Sequence, residues 1–159
     1  METSVKLSDI VEALEMQSDE STYYLDNRTG TVYLLSPDEL YAGEEDDPLE
    51  DYPEWQRKLI EISRRLANGE DENLFELPTR WDVNEYGIME AFCDRQDPAN
   101  RDTLNGAIKG KGAFRRFKDT LAELDLFDQW NQFRRANLKD MAFEWCRDNE
   151  IAYVDDIKD

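Results

Sequence analysis

The chain has 159 residues and a formal net charge of −19, from 38 acidic residues, 19 basic residues and no histidine. A length near 150 is typical of one domain with one sizeable core. An apolar fraction of 40% excludes a wholly disordered chain. Without histidine, no imidazole base and no histidine-bearing zinc site can be built.

No apolar run approaches the roughly eighteen residues that a membrane span needs, and the first residues carry no secretory pattern. The two cysteines, Cys93 and Cys146, do not form a CxxC pair. We therefore expect a cytoplasmic protein with two buried, reduced thiols. A disulfide between the two cysteines is the alternative.

The charge is unevenly distributed along the chain. Residues 1–100 carry 26 acidic and 8 basic groups, whereas residues 101–159 carry 12 acidic and 11 basic groups. The first part should repel nucleic acid and anionic lipid. We therefore expect no membrane partner and regard nucleic acid as disfavoured.

The first elements are a helix and a hairpin. Ser8 is typical of the cap of a helix from about Asp9 to Gln17. Two aromatic and β-branched runs, 21–25 and 31–35, surround a turn that contains Asn and Gly, which predicts a β-hairpin. We expect one face of the hairpin to pack in the core. The alternative is an exposed face of tyrosine side chains that contacts a partner.

Capping signals indicate where two of the next helices begin. Ser36 and Glu39 form a capping-box pattern around Pro37, and Asp82 with Glu85 forms a similar pair. Between these helices, a short extended segment is predicted over 74–77, ended by proline.

The remaining helices follow from apolar spacing. Trp55, Leu59, Ile62 and Leu66 recur at helical steps, as do Phe114, Phe117, Leu121 and Leu124. Asp97-Pro98 is typical of a helix start. A long last helix is predicted over 127–149, followed by a short packed tail over 151–154.

These elements predict an α+β fold that is predominantly α, a helical bundle with a small N-terminal β-hairpin. We expect one domain over 1–159. Its parts are a helix plus hairpin over 5–36, a mobile acidic loop over about 43–53, and a bundle over 54–150.

The most unusual segment is 109–118, which holds five basic groups, two glycines and two phenylalanines. Backbone amides freed by the glycines could bind an anion at a helix N-terminus. The alternative is structural, with the phenylalanines in the core and the basic groups paired with carboxylates. The candidate anion- or partner-binding residues are Lys109, Gly110, Lys111, Gly112, Arg115, Arg116 and Lys118. Replacing Arg115 and Arg116 by alanine should then abolish binding and leave the fold intact.

The acidic stretch 38–54 contains nine carboxylates and no basic residue. A solvated, mobile linker and a docking surface for a basic protein are the two main interpretations, while the spacing does not match an EF-hand loop. The candidate docking residues are Glu44, Glu45, Asp46, Asp47, Glu50 and Asp51.

The segments 11–26 (VEALEMQSDESTYYLD) and 110–119 (GKGAFRRFKD), with the tryptophan-bearing last helix, resemble a bacterial family, Uncharacterised Protein Family number 0158. The resemblance covers most of the chain. The family carries no established activity, so the resemblance assigns no functional residue. It implies a bacterial or phage-related cytoplasmic protein and marks 110–118 as a family signature.

No nucleophile–base arrangement and no catalytic motif is present in the sequence. We therefore expect a non-enzymatic binding or regulatory protein that engages a protein partner through charged surfaces, with no metal or cofactor. A nucleic-acid, nucleotide or anion binder using 109–118 is the alternative. A DNA mimic, in which carboxylates imitate phosphates, is a second alternative.

Overall fold

The computed structural model describes residues 4–69 and 71–157. The chain divides into two compact units, one formed by Met1–Asp82 with Ala142–Asp159 and the other by Val83–Met141. Each unit has its own buried apolar side chains. The expectation of one domain over 1–159 stays a prediction.

The helices and strands of the described residues are short, apart from two longer helices. In chain order they are β1 (Val5–Lys6), α1 (Leu7–Glu15), β2 (Thr22–Asp26), β3 (Thr31–Leu35), α2 (Pro37–Gly43), α3 (Glu54–Asn68), β4 (Leu74–Glu76), α4 (Arg80–Val83), α5 (Glu85–Asp94), α6 (Pro98–Ala107), α7 (Ala113–Glu123), α8 (Phe127–Asp148) and β5 (Tyr153–Val154). The fold is α+β and predominantly α, as predicted. Among the described residues, no helix is both long and apolar enough to span a membrane.

The predicted hairpin is confirmed and is part of a larger sheet. β2 and β3 pair antiparallel, and β4 pairs antiparallel with the other side of β2 to give the order β3-β2-β4. The extended segment predicted over 74–77 is therefore a third strand. A two-stranded hairpin is marginally stable alone, and the third strand supplies further backbone hydrogen bonds.

A second, two-stranded sheet joins the two ends of the first unit. β1 pairs parallel with β5, so the predicted tail over 151–154 is a strand rather than a simple packed segment. This pairing brings Asp156 to the start of α1. Its carboxylate accepts hydrogen bonds from the Ser8 backbone N–H at 2.9 Å and the Ser8 hydroxyl at 2.5 Å. Ser8 therefore lies inside α1, and the predicted cap was wrong because a distant carboxylate serves the helix start.

The two other predicted capping pairs also differ from the structure. Ser36 is the N-cap of α2 and Pro37 its first residue, as predicted, but the Ser36 side chain makes no capping hydrogen bond and Glu39 is buried, 5% exposed. Asp82 caps with Thr79 instead, accepting from the Thr79 N–H at 2.9 Å. α5 is a separate helix that is capped by Asn84, which takes a left-handed conformation.

The second unit is built around an aromatic cluster from three helices. Phe92 of α5, Phe117 of α7 and Trp130 of α8 meet edge to face, with Phe117 and Trp130 ring centroids 4.8 Å apart. All three side chains are at most 4% exposed. Such contacts add stabilisation beyond the burial of their area.

Three aromatic residues predicted on inner helix faces are exposed instead. Trp55, Phe114 and Phe127 are 72%, 45% and 46% exposed. Each stands in the first turn of its helix. Apolar periodicity indicates the inner face of a helix, but it does not show how far along the helix the packing partner reaches.

α2 and α3 approach very closely at Gly43. A Cβ atom added to Gly43 would lie 2.5 Å from the Ser63 Cβ and 2.7 Å from the Ser63 backbone carbon. Only glycine fits at this contact without movement of a helix.

We expect Gly43→Ala to lower the free energy of unfolding by about 2 kcal/mol, because the added methyl group overpacks the α2–α3 contact. Gly106→Ala is the matched control. A Cβ at Gly106 has no neighbour within 4 Å, so this substitution should stabilise α6 by about 0.5–1 kcal/mol. Urea unfolding curves of both variants check the prediction, and equal effects would contradict it.

Candidate binding surfaces

The basic segment 109–118 connects α6 to α7. Gly110 and Gly112 both have positive φ angles, 76° and 78°, which turn the chain between the two helices. α7 begins directly after Gly112, with no side-chain cap. The two glycines are therefore required by the tight turn itself.

Arg116 holds this turn together. Its Nε donates to the Ala107 carbonyl oxygen at 2.9 Å, and its two terminal nitrogens donate to the carbonyl oxygens of Lys109 and Lys111. One guanidinium thereby serves three carbonyls that the end of α6 and the glycine turn leave unpaired. The structural interpretation paired Arg116 with a carboxylate. Among the described residues it pairs with none, and its guanidinium binds these three backbone carbonyls instead.

The other basic side chains of the segment face solvent. Lys109, Lys111, Arg115 and Lys118 are exposed, and none forms an ion pair with any residue that the structure describes. Phe117 is in the core as expected, whereas Phe114 is 45% exposed. The segment thus presents four cations and one aromatic ring.

The acidic segment 44–53 connects α2 to α3 and contains a short 3-10 turn over Leu49–Asp51. Two arginines of α3 hold its backbone. Arg57 Nε donates to the carbonyl oxygens of Leu49 and Tyr52, each at 3.1 Å, and Arg64 donates to the Asp47 carbonyl oxygen. The mobility of this segment stays a prediction. Its backbone accepts hydrogen bonds from α3 at three carbonyl oxygens.

All six predicted acidic docking residues are exposed: Glu44, Glu45, Asp46, Asp47, Glu50 and Asp51. Two large aromatic side chains flank them in the sequence. Tyr41 near the end of α2 is 69% exposed, and Trp55 at the start of α3 is 72% exposed. We refer to the exposed carboxylates of 44–51 together with Tyr41 and Trp55 as the acidic surface.

A third charged cluster was not found from the sequence. Asp26, at the end of β2, is 1% exposed and accepts a hydrogen bond from Arg65 Nη1 at 2.8 Å. Arg65 also pairs with Asp71, and the Arg28 backbone N–H donates to Asp26 at 3.0 Å. Since these residues are up to 45 positions apart and belong to no motif, no sequence signal points to the cluster.

An open cavity of about 400 Å³ lies beside this cluster, lined by Arg28, Arg65, Asn68, Asp71, Glu72 and Asn73. Two of the charged side chains that line it, Arg65 and Asp71, pair with each other, and Arg65 and Arg28 both pair with Asp26. Burial raises the pKa of Asp26, but the hydrogen bonds from Arg65 and Arg28 outweigh it and lower the pKa overall. The hydrogen bond from Arg65 lowers the pKa of Asp71 as well. The cluster is therefore a structural ion-pair network.

Both cysteines are free and buried. Burial raises the pKa of the Cys93 and Cys146 thiols to about 11. Each thiol is therefore protonated at neutral pH and a poor nucleophile. The expectation of two buried, reduced thiols is confirmed, and the disulfide left open by the sequence is absent from the structure.

The fold and its surfaces define a predominantly α protein with a small sheet and two oppositely charged exposed segments. The chain belongs to the uncharacterised protein family UPF0158, whose family model matches residues 3–158. A curated UPF0158 protein of Pseudomonas aeruginosa is 28% identical over 131 residues, which cover 81% of this chain and 73% of that protein. No solved structure matches the chain.

We expect Arg116→Ala to lower the free energy of unfolding by about 2 kcal/mol, since three carbonyls lose a charged donor. Arg116→Lys should recover little, because an ammonium cannot span three acceptors. Arg115→Ala, the matched control on the neighbouring residue, should change stability by less than about 0.5 kcal/mol. Urea unfolding separates these outcomes. The double variant Arg115→Ala with Arg116→Ala should therefore lose about the same stability as Arg116→Ala alone.

We expect Asp26→Asn to lower the free energy of unfolding by about 3 kcal/mol at pH 7, because Arg65 loses its most buried partner. The folded-state pKa of Asp26 is lowered. Its contribution is therefore complete above the unfolded pKa of about 3.9 and is lost as the pH falls through the folded value. The difference between wild type and variant should shrink toward pH 2 in pH-dependent urea unfolding.

The surface pair Arg80–Asp19 offers the control for this experiment, since both side chains are more than half exposed. Asp19→Asn should cost less than about 1 kcal/mol at every pH. A loss for Asp26→Asn that is equally small, or independent of pH, would contradict the assignment.

Proposed function

We propose that this protein is a non-enzymatic binding protein that engages a basic protein partner through its acidic surface. The observation that carries the proposal is the combination of six exposed carboxylates with exposed Tyr41 and Trp55 around one anchored connection. Aromatic side chains are favoured at the centres of protein interfaces.

Charge and order both support this function. Rows of carboxylates accelerate encounter with a basic partner and exclude acidic competitors. The hydrogen bonds from Arg57 and Arg64 hold the backbone of the acidic segment before a partner arrives. A segment that is already held loses less conformational entropy on binding.

The basic segment supports a second candidate, the binding of an anion or a single-stranded nucleic acid. Lys109, Lys111, Arg115 and Lys118 are exposed beside the half-exposed ring of Phe114. Cations that follow a backbone and a ring that stacks on a base are the usual elements of such sites. The net charge of −19 opposes this candidate.

The test is affinity capture from the parent cell at low and high salt, with three versions of the chain. The first is wild type. The second is an acidic-surface variant, Glu44→Gln, Glu45→Gln, Asp46→Asn and Asp47→Asn. The third is a charge-matched control in the other unit, Asp102→Asn, Glu123→Gln, Asp128→Asn and Asp140→Asn. We expect wild type and the control to capture a basic protein. The acidic-surface variant should capture at least about tenfold less of it.

Equal capture by both variants, or capture that high salt does not reduce, would contradict the use of the acidic surface. The second candidate would be favoured if nuclease removes the captured material and if the variant Arg115→Ala with Lys118→Ala no longer captures it. A partner that duplex DNA displaces from the acidic surface would indicate the DNA-mimic alternative.

A further inference from the structure

The three-stranded sheet has two edge strands, β3 and β4, and the β4 edge is partly used because its Glu76 carbonyl oxygen accepts a hydrogen bond from Trp145 Nε1 at 3.1 Å. β3 lies at the edge of the order β3-β2-β4 and pairs with β2 alone among the described strands. Leu34 of β3 is 43% exposed. An open edge strand is a ready template for another strand, and proteins usually cover or charge such edges.

The strand register identifies the backbone groups on this edge. The Tyr23 carbonyl of β2 accepts from Leu77, so Tyr23 faces β4, and its neighbours Thr22 and Tyr24 face β3. Since successive residues of a strand point to opposite edges, Val32 and Leu34 direct their N–H and C=O groups outward. Neither backbone makes a hydrogen bond to another element within the described part of the chain.

A groove runs beside this edge, between α1 and the sheet. Its volume is about 290 Å³, and it is lined by Asp9, Glu12, Ala13, Met16, Tyr23, Thr31 and Val32. The lining combines apolar side chains with Asp9 and Glu12 of α1. Met16 is 70% exposed, so its side chain is accessible to a ligand in the groove.

We propose that β3 is a docking edge that accepts an extended, basic segment of a partner protein as a fourth strand. The backbone of the incoming strand pairs with Val32 and Leu34. Its alternate side chains enter the groove, where lysine or arginine meets Asp9 and Glu12 and the aliphatic stem covers Met16. This mode of recognition is strand addition to a sheet edge, with main-chain bonds for affinity and side-chain pockets for specificity.

Charge distinguishes this occupant from a second copy of the chain. Pairing of two β3 strands across a twofold axis would place Asp9 and Glu12 of each copy near the carboxylates of the other. Two chains of net charge −19 also repel each other at long range. A basic strand relieves this repulsion, whereas a second copy increases it.

The inference is independent of the acidic surface, because it uses different residues and a different kind of contact. Backbone pairing at β3 does not involve Tyr41, Trp55 or residues 44–51. Variants of one surface therefore leave the other available for measurement.

The experiment uses the full chain and a defined probe, a seven-residue peptide that alternates lysine with valine, at low ionic strength. Residue-resolved amide hydrogen exchange by NMR is measured with and without the peptide. We expect exchange at Val32 and Leu34 to slow at least about tenfold on binding. Thr31, Tyr33 and Leu35 already pair with β2 and should change little. Unchanged exchange at Val32 and Leu34 would overturn the proposal.

Two modified components separate strand addition from simple charge attraction. A peptide with N-methyl groups on every residue keeps its charge but cannot donate main-chain hydrogen bonds, and we expect it to bind at least about tenfold more weakly. Leu34→Pro removes one outward N–H at an edge position that tolerates proline and should have the same effect, whereas Leu34→Ala should retain most of the affinity. Equal binding of both peptides would overturn the proposal, even if the proline variant fails to fold.

The groove carboxylates give a third readout. Glu12→Gln should weaken binding of the peptide about threefold at low salt. It should have no effect on binding at 1 M salt, where charges are screened within about 3 Å. If Val32 and Leu34 are protected from exchange without peptide, in a sample in which the chain self-associates, the occupant of the edge is a second copy of the chain. That result would overturn the choice of a basic strand.

Discussion

The buried carboxylate of Asp26 is the constraint on which the first unit depends. It lies at the end of β2, is 1% exposed and therefore requires a cation. Arg65 of α3 supplies that cation and extends to Asp71, in the connection before β4. One guanidinium thus joins the sheet, a helix and the segment that leads to the third strand. β2 is the central strand of the three-stranded sheet, with β3 and β4 at its two edges.

Several arginines of the described residues donate to backbone carbonyls rather than to carboxylates. Arg57 and Arg64 hold the acidic segment, and Arg116 holds the glycine turn between α6 and α7. Since these cations are used on main-chain oxygens, they form no ion pair with any surface carboxylate that the structure describes. The negative charge of residues 44–51 consequently remains exposed, which is the property that the proposed docking function requires.

Local signals predicted the elements well. The hairpin and the Asp97-Pro98 start of α6 follow from turn and capping chemistry within a few residues. At Asp82 the local pairing was assigned to the wrong partner, since Asp82 pairs with Thr79 at the start of α4 and Asn84 caps α5. The helix start at Ser8 was wrong because its capping group comes from Asp156, 148 residues away, through a contact that the local pattern does not contain. The strand pairing of β1 with β5 was missed for the same reason.

The candidate residues were predicted from the sequence, but their roles were not. The charge, the acidic and basic segments and the absence of an imidazole base follow from composition and spacing, which depend only on residue order. Which arginine is structural, which aromatic side chain is exposed and which strands form the edges depend on how the chain turns and packs in three dimensions. Arg115 and Arg116 are adjacent and chemically identical, yet only Arg116 has three carbonyls within reach. That difference was decided by the tertiary structure alone.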